Sequence, residues 1–321
     1  MNIDTTYIQQ EKVNIKEESG RLSNAIIPLK NGNSYVMDKN YQLSKVTNIR
    51  NVAAAATQVD EDEIQKLIAD TEEMAEEKLS QMKTGRTVTQ ISKYDLTLSQ
   101  MLHKQMADYP RTNRGNGWVN ATFNEVKKYV TPSGENYEAN KYQFLDLSSL
   151  AGITKEDANE YLKGKGILSG RGEAFVIAAN KYNVNEIYLM AHANLETGNG
   201  KSTLATGYNY NGTTVYNMYG IGAVDSNPIQ KGAEYAYKMG WTSPDIAIVE
   251  GAKWISQSYI NRQGNRQNTL YKMRWNPAQP GTHQYATDIA WATKQAQMIQ
   301  DIYSKFKGAN LIFDFPTYKG E

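Results

Sequence analysis

The chain contains 321 residues, of which 40% are hydrophobic and 21% charged, proportions typical of a soluble globular protein. The formal net charge of +1 lacks the basic excess of most nucleic-acid-binding domains, so no nucleic-acid partner is expected. The absence of cysteine excludes disulfides and thiolate metal sites, and the three histidines, His103, His192 and His283, are too scattered to indicate a metal cluster.

Residues 1–93 are predicted to form an N-terminal extension. Its first segment is polar and has no apolar h-region, so no signal peptide is expected. No apolar run in the chain approaches the roughly 18 residues of a membrane span. The segments AIIPL and SYVMD, separated by KNGN, predict two short strands around an Asn-Gly turn.

An acidic amphipathic helix is predicted for VDEDEIQKLIADTEEMAEEKLSQM, near residues 59–82, because apolar residues recur there at helical spacing. The opposite face is strongly acidic, and charge runs of this kind usually face solvent. The helix is therefore interpreted either as a solvated linker or as a docking element for a partner or a second copy.

Residues 94–149 are predicted to form a bridging helical segment. YDLTLSQMLHKQMADY, at 94–109, predicts an amphipathic helix, and the following PRTNRGNG predicts a loop. A short helix is expected between residues 117 and 150. The apolar side of the first helix would carry Leu98, Met101, Leu102 and Met106.

Residues 150–321 predict a mainly helical domain. Thr154 and Asp157 are spaced as a capping box before one helix. Asn185 is a candidate N-cap for VNEIYLMAHANLET, whose nearly continuous apolar surface predicts a buried helix. Further predicted elements are helices over 168–183, 230–240, 243–262 (N-cap Ser243, then Pro244) and 283–306, and a strand at LIFDFP.

A β-hairpin is predicted in GYNYNGTTVYNMYGIGA, because Asn211-Gly212 can adopt the positive φ angles of a tight hairpin turn. It directly follows Glu196, the acid in LETGNG. Burial at the C-terminal end of an apolar helix disfavours a carboxylate, so Glu196 is expected to hold its proton. Such an acid can protonate a glycosidic oxygen, although a glutamate before a glycine C-cap is also an ordinary helix end.

A second functional group would strengthen this interpretation, and Asp225, in a loop after the hairpin, is the candidate. Nearby aromatic and polar residues could line a saccharide groove, although cross-strand packing explains any single tyrosine equally well. No P-loop, H-E-x-x-H or G-x-S-x-G motif is present, so neither a metal nor a nucleotide cofactor is expected. The candidate groove residues are Tyr216, Asn217, Tyr219 and Tyr285.

The run GKGILSGRGEAFVIAANKYNVNEIYLMAHANLETGNGKSTLATG resembles the bacterial endo-β-N-acetylglucosaminidases of glycoside hydrolase family 73, and the likeness continues through NMYGIGAVDSNP and THQYATDIAWA. The resemblance implies a lysozyme-like α+β fold, mainly α with a small β-hairpin lobe, over 150–321. It also implies hydrolysis of the β-1,4 bond after N-acetylglucosamine in peptidoglycan, with Glu196 as general acid. Asp225 would be base or stabiliser of the substrate's 2-acetamido group, and Tyr219 and Tyr285 would line the site.

Two further interpretations remain open. One is a structural phage tail protein whose lysozyme-like domain only binds peptidoglycan. The other is a muramidase or lytic transglycosylase, which cuts the other glycosidic bond. The expected location is either a phage tail, where residues 1–93 would dock onto other tail proteins, or the extracellular cell wall.

Overall fold

The computed structural model describes residues 24–28, 34–38, 43–46, 85–133, 140–223 and 227–320. The chain divides into two compact units, the first comprising residues 1–82 and 180–182 and the second comprising 83–179 and 183–321. Strands β1 (Asn24–Pro28), β2 (Ser34–Asp38) and β3 (Leu43–Val46) form an antiparallel sheet in that order. The two predicted N-terminal strands are confirmed, whereas the Asn-Gly turn and the acidic helix lie outside the described residues.

The second unit is closed by a parallel pair of strands from its two ends. Strand β4 (Thr87–Tyr94) pairs along its whole length with the last strand, β9 (Leu311–Tyr318). Strand β9 was predicted and β4 was not. The domain boundary proposed between residues 93 and 94 stays a prediction.

The segment after β4 differs from the sequence prediction in two places. Helix α1 (Leu98–Met106) begins four residues later than predicted, after the capping box of Thr97 and Gln100, because Tyr94 ends the paired strand. PRTNRGNG was predicted to be a loop, but it contributes to a short hairpin of β5 (Arg111–Asn113) and β6 (Trp118–Asn120). Helix α2 (Phe123–Val130) confirms the predicted short helix.

Helices dominate the rest of the second unit, and their predicted caps are confirmed at Thr154, Asn185 and Ser243. Two 3-10 turns cover Lys141–Phe144 and Gly166–Leu168, and a π-helical turn covers Ser256–Ile260. The helices are α3 (Lys155–Leu162), α4 (Gly172–Tyr182), α5 (Glu186–Glu196), α6 (Thr203–Thr206), α7 (Pro228–Lys238), α8 (Pro244–Ile255), α9 (Leu270–Trp275) and α10 (Trp291–Tyr303).

The helix predicted to begin at His283 begins instead at Trp291. Residues 285–289 are held by backbone hydrogen bonds to other segments: Tyr285 donates to the Met273 carbonyl, and Ile289 donates to the Arg111 carbonyl. Asp288 forms an isolated parallel bridge with Arg111. These pairings use the backbone groups that a helical turn would need, so the segment is not helical.

Helix α5 is the central core helix, and every residue from Glu186 to Asn194 is buried. It packs against α10. Its large apolar side chains Ile187, Leu189 and Met190 are fully buried, and burial stabilises each by roughly 1.5–3 kcal/mol relative to exposure. The helix is therefore a rigid support for the residue at its C-terminal end, Glu196.

A small β lobe follows α5 and completes the predicted α+β, mainly α architecture. Strands β7 (Tyr208–Tyr210) and β8 (Thr213–Val215) pair antiparallel. Asn211 and Gly212 turn between them with φ angles of 50° and 80°, which confirms the predicted hairpin. Among the described residues, no helix combines the length and apolar character needed to cross a membrane.

Candidate active site

Glu196 lies where the end of α5 meets the loop that leaves the β lobe. A Cβ atom added at Gly220, in the loop after β8, would lie 2.7 Å from the Glu196 Oε2 atom. The Glu196 side chain is 34% exposed. Burial of the rest raises the pKa of its carboxyl above the usual 4.5. Within the described part of the chain, the carboxyl accepts and donates no hydrogen bond, so its hydrogen-bonding capacity is unused.

Thr197 fixes the turn that follows the acid. Its hydroxyl donates to the Ala193 carbonyl at 2.5 Å and accepts the Gly200 N–H at 2.7 Å. A side chain at Gly200 would collide with the carbonyl of Lys165, because the two backbones cross there. The second glycine of LETGNG therefore permits close packing of the chain on itself.

A neutral histidine lies directly beneath the acid. His192 is fully buried one turn before Glu196, with its Nε2 atom 3.8 Å from Glu196 Oε1. The ring contacts a tyrosine hydroxyl at each nitrogen: Tyr188 at Nδ1, 3.0 Å, and Tyr285 at Nε2, 3.1 Å. Burial lowers the pKa of His192 to about 4, so the imidazole is uncharged near neutral pH.

Aromatic rings surround this histidine and extend away from the acid. Tyr219 meets the His192 ring edge-on at 5.5 Å. Tyr285 stacks on Trp291 at 4.7 Å and meets Tyr259 edge-on at 5.0 Å. Tyr219 is buried, whereas the rings of Tyr259, Tyr285 and Trp291 are partly exposed and can bind the apolar faces of sugar rings.

Asn217 holds the β-lobe loop in place. Its side-chain oxygen accepts the N–H groups of Tyr219 and Ile221, at 3.3 and 3.2 Å, and its amide donates to the Ile221 carbonyl at 2.8 Å. A buried carboxamide bonded in this way replaces secondary structure in a short irregular segment. The loop therefore presents Gly220 to Glu196 in a defined conformation.

The structure brings three predicted site residues together and separates or omits the others. Glu196, Tyr219 and Tyr285 all contact or approach His192. Asn217 lies in the adjacent loop but is buried, and its predicted contact with substrate stays a prediction. Tyr216 lies beside Gly207, with its N–H bonded to the Trp241 carbonyl. Asp225 lies outside the described residues, so its predicted role also stays a prediction.

Sequence reasoning missed His192, Tyr188, Tyr259 and Trp291. A signal for the first two was present: Tyr188, His192 and Glu196 recur every four residues, which places them on one face of a helix. A polar stripe on an otherwise apolar, buried helix indicates a site. No comparable pattern connects Tyr259 or Trp291 to the acid, because they lie in distant segments.

No group of three or more acidic, histidine or cysteine side chains in the described residues could hold a metal ion.

Fold and site together define a lysozyme-like protein, with a mainly helical body, a small β lobe and an acid at the end of a buried helix. A family model described as mannosyl-glycoprotein endo-β-N-acetylglucosaminidase matches residues 172–304.

Comparisons with known proteins agree with this class. The chain is 54% identical over 205 residues to the β-N-acetylglucosaminidase of Bacillus subtilis, a match covering 63% of this chain and 23% of that protein. It is similar to the crystal structure of Staphylococcus aureus glucosaminidase B, with 39% identity, a TM-score of 0.61 and coverage of 73% and 95% of the two chains.

A catalytic mutant of S. aureus autolysin E, in complex with the disaccharide NAG-NAM, gives 38% identity, a TM-score of 0.60 and coverage of 70% and 99%. The chain belongs to the glucosaminidase family, and the resemblance found in its sequence is confirmed. It spans about a quarter of the length of its Bacillus relative.

Proposed function

We propose that this chain is an endo-β-N-acetylglucosaminidase that hydrolyses the β-1,4 bond after N-acetylglucosamine in bacterial peptidoglycan. The observation that carries the proposal is the Glu196 carboxyl, which has a raised pKa and no hydrogen-bond partner among the described residues. Family membership supports the same activity, and a related autolysin crystallised with NAG-NAM supports the substrate class.

Glu196 acts in this proposal as the general acid. The sugar oxygen leaves poorly as an alkoxide, so a proton must reach it as the glycosidic bond breaks. Burial keeps the Glu196 carboxyl protonated to a higher pH than an exposed glutamate. The uncharged His192 beneath it adds no positive charge, which would otherwise favour the carboxylate and remove the proton.

The positive charge that develops on the sugar needs a second group. We assign this role to Asp225 or to the substrate's own 2-acetamido group, with Asp225 as base or stabiliser. The two routes differ in geometry, because direct attack by a carboxylate requires the two carboxyl groups to lie about 5 Å apart. The aromatic side chains of Tyr219, Tyr285 and Tyr216 are proposed to contact the glycan.

Product analysis tests the bond specificity. Purified peptidoglycan is digested, the new reducing ends are reduced with borohydride, and the products are identified by mass spectrometry. The proposal predicts reduced N-acetylglucosamine ends. N-acetylmuramic acid ends indicate a muramidase, anhydro ends a lytic transglycosylase, and wall binding without sugar release a structural module; each of these results contradicts it.

The place of action follows from the substrate. The proposed location is the extracellular cell wall, where peptidoglycan is exposed to the enzyme. The finer assignments made from the sequence, a virion location and docking onto tail proteins through residues 1–93, remain proposals. Immunogold labelling of purified phage particles and of cell walls distinguishes the two locations.

A further inference from the structure

The contacts of His192 define a chain of hydrogen bonds whose direction can be deduced. Tyr188, His192 and Glu196 lie on successive turns of α5. The Tyr188 hydroxyl is 3.0 Å from Nδ1 and the Tyr285 hydroxyl is 3.1 Å from Nε2. A neutral imidazole carries a single N–H, so one ring nitrogen donates and the other accepts.

The need of the buried Tyr188 hydroxyl for a hydrogen-bond acceptor decides between the two neutral tautomers of the His192 ring. Tyr188 is fully buried, and Nδ1 of His192 is the only hydrogen-bond partner of its hydroxyl among the described residues. If Nδ1 carried the hydrogen, the hydroxyl hydrogen of Tyr188 would be buried without an acceptor, which is unfavourable. Tyr188 therefore donates to Nδ1, and the ring hydrogen is on Nε2.

We propose that Tyr188, His192 and Tyr285 form a one-directional hydrogen-bond chain, in which His192 is a positioning residue that turns the Tyr285 hydroxyl into a hydrogen-bond donor toward the substrate beside Glu196. Nε2–H donates to the Tyr285 oxygen, so that oxygen no longer offers its own hydrogen to the ring. The hydroxyl has no other hydrogen-bond partner in the described parts of the chain. Because Tyr285, unlike Tyr188, is partly exposed, its hydrogen is left for solvent or a ligand acceptor.

The same tautomer protects the proton of Glu196. Nε2 is the ring nitrogen nearest to Glu196, at 3.8 Å from Oε1, and in this tautomer it already carries a hydrogen. It cannot accept the proton of the carboxyl, so that proton remains available to the glycosidic oxygen. Among the described residues, the aromatic side chains that contact the ring are tyrosines, and the Tyr219 hydroxyl donates to the Ile248 carbonyl at 3.2 Å.

Nitrogen NMR of the intact protein tests the tautomer directly. The chain has three histidines, so ¹⁵N-histidine labelling gives three ring systems, and the His192 signals are those lost in His192→Gln. The expected result is a neutral ring protonated on Nε2 throughout the range from about pH 5 to about pH 8. A ring protonated on Nδ1, or a charged imidazolium in this range, overturns the proposal.

Kinetics test the link to Tyr285, and this part rests on the proposed function. Tyr188→Phe should lower kcat on peptidoglycan roughly tenfold, within the range for coupled residues of one hydrogen-bond network. In a Tyr285→Phe background, the same change should have no further effect on kcat. Equal losses of kcat in both backgrounds overturn the coupling, because they indicate a purely structural role for Tyr188.

A matched control removes a buried tyrosine hydroxyl at the opposite end of α5. Tyr303 accepts from the Asn185 side chain, at the N-cap of that helix, about 16 Å from Glu196 along the axis. Tyr303→Phe should lower the melting temperature and leave kcat unchanged. The NMR result does not depend on activity, so it separates failure of this inference from failure of the proposed function.

Discussion

Two features of the surroundings of Glu196 act in the same direction to raise the pKa of its carboxyl. Its side chain is two-thirds covered, which disfavours the charged form, and it ends a helix whose C-terminus has a partial negative charge. The nearest ionisable ring, His192, is buried and uncharged, so it does not offset these effects. A single side chain is thus prepared for acid catalysis by its position on one helix.

The pH dependence of the rate should show this raised pKa. Glu196 must be protonated to act, so kcat/KM is expected to fall as pH rises through its pKa, along a basic limb above the ordinary glutamate value. His192 has a pKa of about 4, so its titration does not change kcat/KM near neutral pH. Rates measured from about pH 4 to about pH 9 check this; a rate that rises throughout the range contradicts it.

The raised pKa of Glu196 also determines how its contribution to the stability of the fold changes with pH. The folded-state pKa of Glu196 is raised above its value in the unfolded chain, so the folded state favours the protonated form. The contribution of Glu196 to stability is therefore fully present below the unfolded-state pKa and is lost as pH rises through the folded-state pKa. The conditions that favour catalysis by Glu196 also favour its folded environment.

At the scale of elements, the site is a junction between the end of α5 and the loop after β8. Gly220 in this loop has a φ angle of 65°, and any side chain there would meet the Glu196 carboxyl. Gly220→Ala should displace the acid and lower activity by up to about 10²-fold, the cost of a misplacement near 1 Å. Activity on peptidoglycan and the melting temperature are measured together.

Gly212 supplies the control for backbone strain. Its φ angle is 80°, but a Cβ atom there meets nothing within 4 Å. Gly212→Ala therefore introduces comparable strain, of roughly 1–2 kcal/mol, without touching the acid. If both variants retain wild-type activity, the close approach of Gly220 to Glu196 has no functional consequence.

Local signals predicted most elements, and non-local pairing explains the misses. The caps at Thr154, Asn185 and Ser243 depend only on neighbouring residues, and the structure confirms them. Strand β4 depends on β9, more than 200 residues away, and no local pattern reveals that partner. The non-helical conformation around Asp288 likewise depends on Arg111.

As with the helices and strands, the parts of the candidate site that depend on neighbouring residues were predictable from the sequence, and those that depend on distant residues were not. The acid Glu196 stands in a recognisable motif, and its helix end was evident from the apolar run before it. His192 could have been found from its spacing, whereas the approach of Gly220 and the stacking of Tyr285 on Trp291 required the fold. Residues from separate segments meet only after the core has formed.

At the scale of the whole second unit, a buried ion pair joins its first and last strands to the helical body. Lys272 of α9 contacts Asp314 of β9 at 2.5 Å and Ser92 of β4 at 2.9 Å. Asn268 accepts a third hydrogen bond from Lys272, at 2.9 Å. Both charged side chains are less than 10% exposed, so each depends on the other for compensation.

Removal of one partner should therefore be strongly destabilising. Lys272→Met leaves the buried Asp314 carboxylate without its cationic partner, with only neutral hydrogen-bond donors from Ser92 and Asn268. We expect a loss of about 3–5 kcal/mol in the free energy of unfolding. Lys294→Met, which breaks the ion pair between the exposed Lys294 and Asp288, should cost less than about 1 kcal/mol. Chemical denaturation measures both; equal losses for the two variants contradict a structural role for the buried pair.

The central claim is that Glu196 donates the catalytic proton. The most direct measurement compares peptidoglycan hydrolysis by wild type, Glu196→Gln and Glu234→Gln, with the melting temperature of each. Glu234 provides the matched control, because it has the same chemistry but pairs with Lys231 and Lys238 on α7. We predict a loss of about 10²- to 10⁴-fold for Glu196→Gln with the fold retained, and full activity for Glu234→Gln. Wild-type turnover by a folded Glu196→Gln variant would contradict the assignment.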